Sequence, residues 1–214
     1  MKQNLNASVI FPVNDTRKAN RLITNLANRF TNFQLLPISD APSFFASWKV
    51  GLAKSTKKYL ILTHQDVEIL KIPSLDRLFT DTTGLVGPAG STVITRQEPW
   101  WFSPTRLDKG QLSGSVFHSP PGGKPTLSYY GKYSPVVALD GVCLITKKSQ
   151  LQKVGIPDVD WAKWDFYDQI LSFEYQKCGY SLKTVPIKLI HSSPGLHRPE
   201  FFTSQHLFLK QYLQ

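Results

Sequence analysis

Apolar residues fall along the first third of this chain in a repeating order of runs and spaced positions. Ala7 to Val13 is a short apolar run, and Asn14, Asp15 and Thr16 follow it as cap residues. Ala19, Leu22, Ile23, Leu26 and Phe30 then recur at helical spacing, with Arg17, Lys18, Arg21 and Asn25 on the wet face. This predicts a strand feeding an amphipathic helix. Phe33 to Ser39 predicts a second strand ending at Asp40, and Ser43 to Ser55, carrying Phe44, Trp48 and Leu52, a second helix. Tyr59 to Leu62 is continuous rather than alternating, as in a strand covered on both faces.

Three strand and helix units in succession predict an α/β fold, with right-handed crossovers and a mostly parallel central sheet carrying helices on both faces. The loops at Asp15, Asp40 and Asp66 then share one edge, beyond the carboxyl ends of the strands, where such sheets gather ligands. The run after Lys58 stops on His64, Gln65 and Asp66, two of them metal-ligand types. The plainer alternative is that Asp66 caps a turn and His64 is a satisfied loop residue.

From Arg96 to Pro135 Pro, Gly and Ser dominate, with adjacent pairs Trp100 and Trp101, Pro120 and Pro121, Tyr129 and Tyr130. No helical or strand period survives there, which predicts a long loop acting as a lid or binding loop. Trp100 and Trp101 either stack on sugar rings or bases or anchor that loop on the core. Val136 to Thr146 predicts a strand interrupted by Asp140 and Gly141, and a charge in such a place must face a cleft or a partner. Beyond Trp164, a helix is expected through Cys178, closed by Gly179, with Asp165 as its N-cap and Asp168 in its first turn. The helix N-terminus would stabilise and orient that second carboxylate. Ser181 to Ile190 predicts a further strand ending at His191, and Glu200 to Leu213 an amphipathic helix packing Phe201, Leu207, Leu209 and Leu213.

The 214 residues suffice for one substantial core, so a single domain is expected: residues 1–95 as a nucleotide-binding half, 96–135 as the loop and 136–214 as the acceptor and metal half. A formal charge of +10 points to an anionic partner: a nucleotide, a nucleic acid or a membrane surface. Neither a secretory signal nor an apolar run of membrane-spanning length is recognised, so the expectation is a cytoplasmic protein with no transmembrane segment. Cys143 and Cys178 lack metal or redox spacing and read as reduced and structural.

The order of strand-end Asp40, YLILTHQDVEI, GLVGPAG with the tryptophan pair, LDGV, WDFYD and strand-end HSSPG resembles the family-two-like glycosyltransferases of the streptomycin-biosynthesis type. The resemblance spans roughly residues 7 to 195. It implies a GT-A fold, a nucleotide-diphosphate sugar donor with a UDP-sugar favoured, a divalent Mn2+ or Mg2+ ion, and inversion at the anomeric carbon. His64, Gln65 and Asp66 stand at the family's metal-binding Asp-x-Asp. Asp66 keeps the essential carboxylate, and His191 resembles the histidine that completes the metal shell. The resemblance assigns His64 a ribose contact, or a place behind the metal, ahead of direct ligation, and keeps Gln65 with the donor. Asp40 resembles the acid that bonds the donor's base, Pro12, Val13 and Asp15 the first nucleotide-contacting loop, and Asp140 and Gly141 the donor-sugar loop. Asp168 is the implied catalytic base, with Asp165, Trp100 and Trp101 on the acceptor and lid side. Lys49, where relatives carry Asn, faces either a phosphate or solvent. Where relatives continue to a further Asp, this chain has Ile170, and it lacks the QxxRW of processive synthases, so one sugar is transferred.

The acceptor is a glycan, a lipid-linked sugar or a small metabolite. Alternatively it is a hydroxymethylated base in DNA, for which the +10 charge and the aromatic loop speak. A non-catalytic nucleotide- or glycan-binding module of the same fold is the reading from a different class. A metal-dependent phosphohydrolase would need a denser ligand set than surrounds Asp66.

Overall fold

The computed structural model describes residues 1–120, 123–193 and 199–214. Pro121, and the Pro194 and Gly195 that end the HSSPG motif, lie outside the described residues. The repeating first third folds as its pattern predicts, into β1 (Gln3–Val13), α1 (Thr16–Arg29), β2 (Phe30–Ser39), α2 (Phe44–Lys54) and β3 (Tyr59–Thr63). Asp15 caps α1 by accepting the N–H groups of Arg17 and Lys18, and Ser43 caps α2 by accepting that of Ala46. Each thereby satisfies donors that a helix start leaves open. Beyond them come β4 (Val67–Lys71), α3 (Leu75–Leu78), β5 (Thr83–Gly87), β6 (Ala89–Ser91), α4 (Pro104–Asp108), β7 (Leu112–His118) and β8 (Thr126–Gly131). The chain then forms β9 (Pro135–Val136), β10 (Ala138–Leu139), β11 (Cys143–Lys147), α5 (Lys148–Val154), α6 (Tyr167–Lys177), β12 (Ser181–Thr184), β13 (Lys188–His191) and α7 (Pro199–Tyr212).

The main sheet has the order β2-β1-β3-β11-β5-β12-β9. Parallel pairing joins β1 to β2 and β3, and β5 to β12, while β11 runs antiparallel to both β3 and β5 and β9 antiparallel to β12. The sheet is therefore mostly parallel in direction. Side chains alternate across it into two layers of core: Val9, Phe11 and Ile61 meet α1 on one face, and Ile10, Leu60 and Leu62 meet Trp48 and Ile170 on the other. That double burial is why β3 reads as an unbroken apolar run. A second sheet, β10-β6-β7-β13-β4 with β8 on β7, continues from the end of β3 through β4. His64, Asp66 and His191 lie where the two sheets meet.

Four expectations need correction. The stretch 96–135 is not an irregular loop, since it contains α4 and the β7-β8 pair. Its strand escaped notice because β7 carries Ser113, whose buried hydroxyl donates to the Lys132 carbonyl, and Gly114, at φ 92° with no room for a Cβ against the Pro88 carbonyl. Small and polar residues thus fill core positions there. The 181–190 strand is split between the two sheets as β12 and β13, with Val185 bonding Gly87 and Pro186 lacking an N–H for either ladder. Asp165 does not cap α6, because the cap position belongs to Phe166 in a left-handed conformation (φ 62°) that bears no side-chain cap bond. In α7, Phe201 and Phe208 are buried and Ser204 between them bonds the Trp161 carbonyl, leaving Leu207 and Leu209 half-buried.

Phe208 is fully enclosed by Phe166, Phe173 and Tyr212. Phe208→Ala should cost about 3–5 kcal/mol of stability in urea unfolding, whereas Leu207→Ala should cost a small fraction of that. Equal costs for the two would contradict this packing.

A candidate metal centre at the sheet edge

Because β1, β2 and β3 are parallel and in register, with Val13 beside Ser39 and Ile10 beside Leu62, their carboxyl ends share an edge as expected. The turn after β3 holds the centre. Gln65 Oε1 accepts the Asn14 and Asp15 N–H groups at 3.1 and 3.0 Å, and Gln65 Nε2 donates to Asn14 Oδ1, fixing the turn to the β1-α1 loop. The His64 N–H donates to the Val142 carbonyl at 3.3 Å, and the Ser192 N–H to the Asp66 carbonyl at 2.9 Å. Three separate segments therefore grip three consecutive residues.

This grip brings His64, Asp66 and His191 together, with ligand atoms within 4.8 Å of one another. His191 Nε2 lies 3.4 Å from Asp66 Oδ1 and 3.3 Å from His64 Nδ1, and His64 Nδ1 lies 3.9 Å from Asp66 Oδ1. Lys18 Nζ stands 3.4 Å from the other Asp66 oxygen. Burial alone would raise the Asp66 pKa, but the His191 hydrogen bond and the charges of His64, His191 and Lys18 hold it below the usual carboxylate range. Burial, with His191 adding to it, pushes the His64 pKa down to about 3. An ionised carboxylate and a neutral imidazole are the forms that bind metal.

Around this core stand groups that the sequence reading did not single out. Tyr167, at the start of α6, places its hydroxyl 2.5 Å from His64 Nε2. His118 lies beside His191 in the parallel β7-β13 pairing, 5.9 Å between ring centroids, and its Nε2 is 3.1 Å from the Tyr130 hydroxyl. The signal available beforehand was modest: a histidine and two tyrosines near glycine-rich segments. In the sequence Lys18 belongs only to the wet face of α1.

The remaining candidates divide. Asp140 is half-buried and accepts the Val142 N–H, and burial, opposed by His191 and that N–H, pushes its pKa up to about 6. The Gly141 N–H donates to Asp168 Oδ2 at 2.9 Å, and a Cβ on Gly141 would stand 2.3 Å from the Tyr167 hydroxyl. Asp168 is 6% exposed and also accepts the Gln169 N–H; burial first, then Asp140, pushes its pKa up to about 7. Pro12 is buried and Val13 half-buried at the end of β1, and the Asp15 carboxylate is engaged as the α1 cap. Asp40, at φ 59°, is exposed one strand further out. Lys49 sits on the exposed side of α2, paired with Asp158 at 2.6 Å rather than with the centre. Trp101 is buried against Phe102 and Tyr130, and Trp100 packs on Phe201, so both anchor their segment on the core. Buried Arg106 holds the backbone there by donating to the carbonyls of Glu98 and Trp100. Asp165 lines a cleft with Trp161, Trp164 and Glu200.

Residues 9–202 match the model of the glycosyltransferase-like family. No curated protein matches the chain. Among solved structures it is similar to GalNAc-T7 with UDP, GalNAc and Mn2+ (TM-score 0.63, 11% identity), which covers 98% of this chain and 49% of that one. It is also similar to the catalytic domain of Drosophila β1,4-galactosyltransferase 7 in complex with xylobiose (TM-score 0.53, 9% identity, 92% and 74%). A third is the mannosyltransferase PcManGT from Pyrobaculum calidifontis in complex with GDP-Man and Mn2+ (TM-score 0.51, 14% identity, 97% and 70%). The likeness is one of fold, the GT-A arrangement, and the chain spans about half the length of the GalNAc-T7 chain. Among the described residues no helix is long and apolar enough to cross a membrane.

The folded pKa of Asp168, about 7, exceeds the 3.8 of a free carboxyl, so the folded state holds the extra proton. Its stabilising contribution is full below about pH 4 and is lost as pH rises through about 7. Asp168→Asn cannot ionise, so in urea unfolding it should gain on wild type between about pH 4 and pH 8, by up to ~1.4 kcal/mol per pH unit. A difference that stays constant with pH would contradict the burial of this acid.

Proposed function

The chain belongs to the glycosyltransferase-like family, and on that premise we propose that it moves one sugar from a nucleotide-diphosphate donor to an acceptor hydroxyl with a divalent metal ion. The observation that carries this reading is the convergence of His64, Asp66 and His191 at the sheet edge. Two imidazoles and a carboxylate suit a transition ion such as Mn2+ better than Mg2+, which prefers oxygen ligands. When bound, the ion acts as a Lewis acid that neutralises charge on the departing nucleoside diphosphate. Lys18, beside Asp66 and half-exposed, adds a positive charge for the same phosphates.

Asp168 is the base in this reading. Its carboxylate keeps lone pairs beyond the Gly141 and Gln169 bonds, and a pKa of about 7 suits a group that accepts a proton near neutrality. The acceptor hydroxyl loses its proton to this carboxylate as it attacks the anomeric carbon in line, with inversion. Asp140 and Gly141 border the donor sugar, and the Asn14-Asp15 loop, tied to Gln65, borders the nucleotide. Glycans and small sugar metabolites remain the principal acceptor class, and the UDP-sugars the first donors to assay.

A second acceptor, hydroxymethylated DNA, would rest on phosphate contacts from Arg17, Arg21 and Arg29, which line an open groove along α1 that Glu68 also lines. The inward packing of Trp101 removes one aromatic from the part of holding an extruded base. Transfer to such DNA should fall steeply with salt, and salt-independent transfer to a free sugar would exclude this acceptor.

In a thermal-shift panel of UDP, dTDP, GDP and CDP sugars, one donor should raise the melting temperature only when Mn2+ is present. Asp66→Ala should abolish that shift. No shift with any nucleotide would leave a binding module that has lost donor chemistry. For the base, Asp168→Asn should lower turnover by about 10²–10⁴-fold with donor binding retained; unchanged turnover would remove Asp168 from the mechanism.

A further inference from the structure

His64 faces the centre through Nδ1, and its other ring nitrogen points away from it, to Tyr167. A histidine that ligates through Nδ1 needs the lone pair there, so its single N–H must sit on Nε2, and a buried N–H needs an acceptor. The Tyr167 oxygen, 2.5 Å from Nε2, is in place to be that acceptor. It is also held with unusual firmness. The ring of Phe44 stacks on Tyr167 at 3.9 Å between centroids and on His64 at 5.0 Å, so one aromatic side chain backs both partners. Trp48 meets the Tyr167 ring edge-on at 5.5 Å. On the hydroxyl side Gly141 leaves the space the phenol needs, for a Cβ there would stand 2.3 Å from the oxygen.

The geometry points to Tyr167 as a positioning residue: by accepting the His64 Nε2–H it fixes the tautomer and ring orientation that aim the Nδ1 lone pair at Asp66 and His191. This inference rests on the metal-centre reading of the site. It makes His64 a direct ligand, which the family resemblance placed behind a ribose contact, and it gives Gly141 a definite task, namely leaving room for the Tyr167 hydroxyl. The partner of a ligating histidine is worth about 10–100-fold in metal affinity.

Two measurements on the intact chain test it. The first is a long-range ¹H–¹⁵N correlation spectrum of the metal-free protein, in which the His64 signals are identified by their loss in His64→Gln. They should report a proton on Nε2 and a bare Nδ1, and a proton on Nδ1 would overturn the inference. The second is Mn2+ binding, followed by the electron paramagnetic resonance signal of free Mn2+. Tyr167→Phe keeps the ring and its stacking but should weaken binding at least about tenfold while lowering the melting temperature by only a few degrees, whereas Tyr167→Phe binding Mn2+ as tightly as wild type would overturn it. Gly141→Ala, which crowds the hydroxyl without touching a ligand, should weaken binding in the same direction. Failure of wild type itself to bind Mn2+ would instead remove the metal-centre reading, and the inference with it.

Discussion

The proposed metal centre depends on how the turn after β3 is held. Four residues, Thr63 to Asp66, are bonded to three parts of the chain that are remote in sequence. Gln65 binds the first loop, Thr63 and His64 bond the Val142 carbonyl, and the Asp66 carbonyl takes the Ser192 N–H at the end of β13. None of these bonds is large alone, since each contributes about 1 kcal/mol net. Their value lies in direction. They fix the orientation of a carboxylate and an imidazole on a strand end whose own five residues are all buried, and they bring His191 to both from 127 positions beyond His64.

The same crowding sets the electrostatics. Asp140 and Asp168 are pushed towards neutrality by burial, while Asp66, nearest the two histidines and Lys18, is held ionised. Burial and the neighbouring charges thus push the pKa values of these acids apart, the arrangement by which carboxylates of one site can take different roles. The aromatic group of Phe44, Trp48 and Tyr167 forms the dry wall behind His64. Because α2 and α6 supply that wall, the two halves of the chain are joined at the centre.

The elements that sequence disclosed best are those whose causes are local. Asp15 and Ser43 cap the helices expected of them because capping involves only the next three residues. The Tyr59 run discloses its burial because both faces of β3 are covered. Asp66 stands out at the end of the Tyr59 run and His191 through a resemblance, and the structure sets them 3.4 Å apart. What was hidden depends on distant packing. Ser113 and Gly114 make β7 look like loop, although the close approach of Pro88 and the Lys132 carbonyl is what calls for them. Asp165 has the chemistry of a cap, yet the chain enters α6 through Phe166 instead. Tyr167 lies between two aspartates that draw attention first, and nothing nearby in sequence says that His64 waits for it 103 positions away.

The central claim is that His64, Asp66 and His191 together hold a divalent ion against which a nucleoside diphosphate docks. Anomalous diffraction from crystals grown with Mn2+ and UDP tests it most directly. The account predicts a single strong manganese peak bound by the Asp66 carboxylate, His191 Nε2 and His64 Nδ1, with diphosphate oxygens completing its surroundings. Ordered UDP with no peak at these three residues, or manganese bound at a different place, would contradict it.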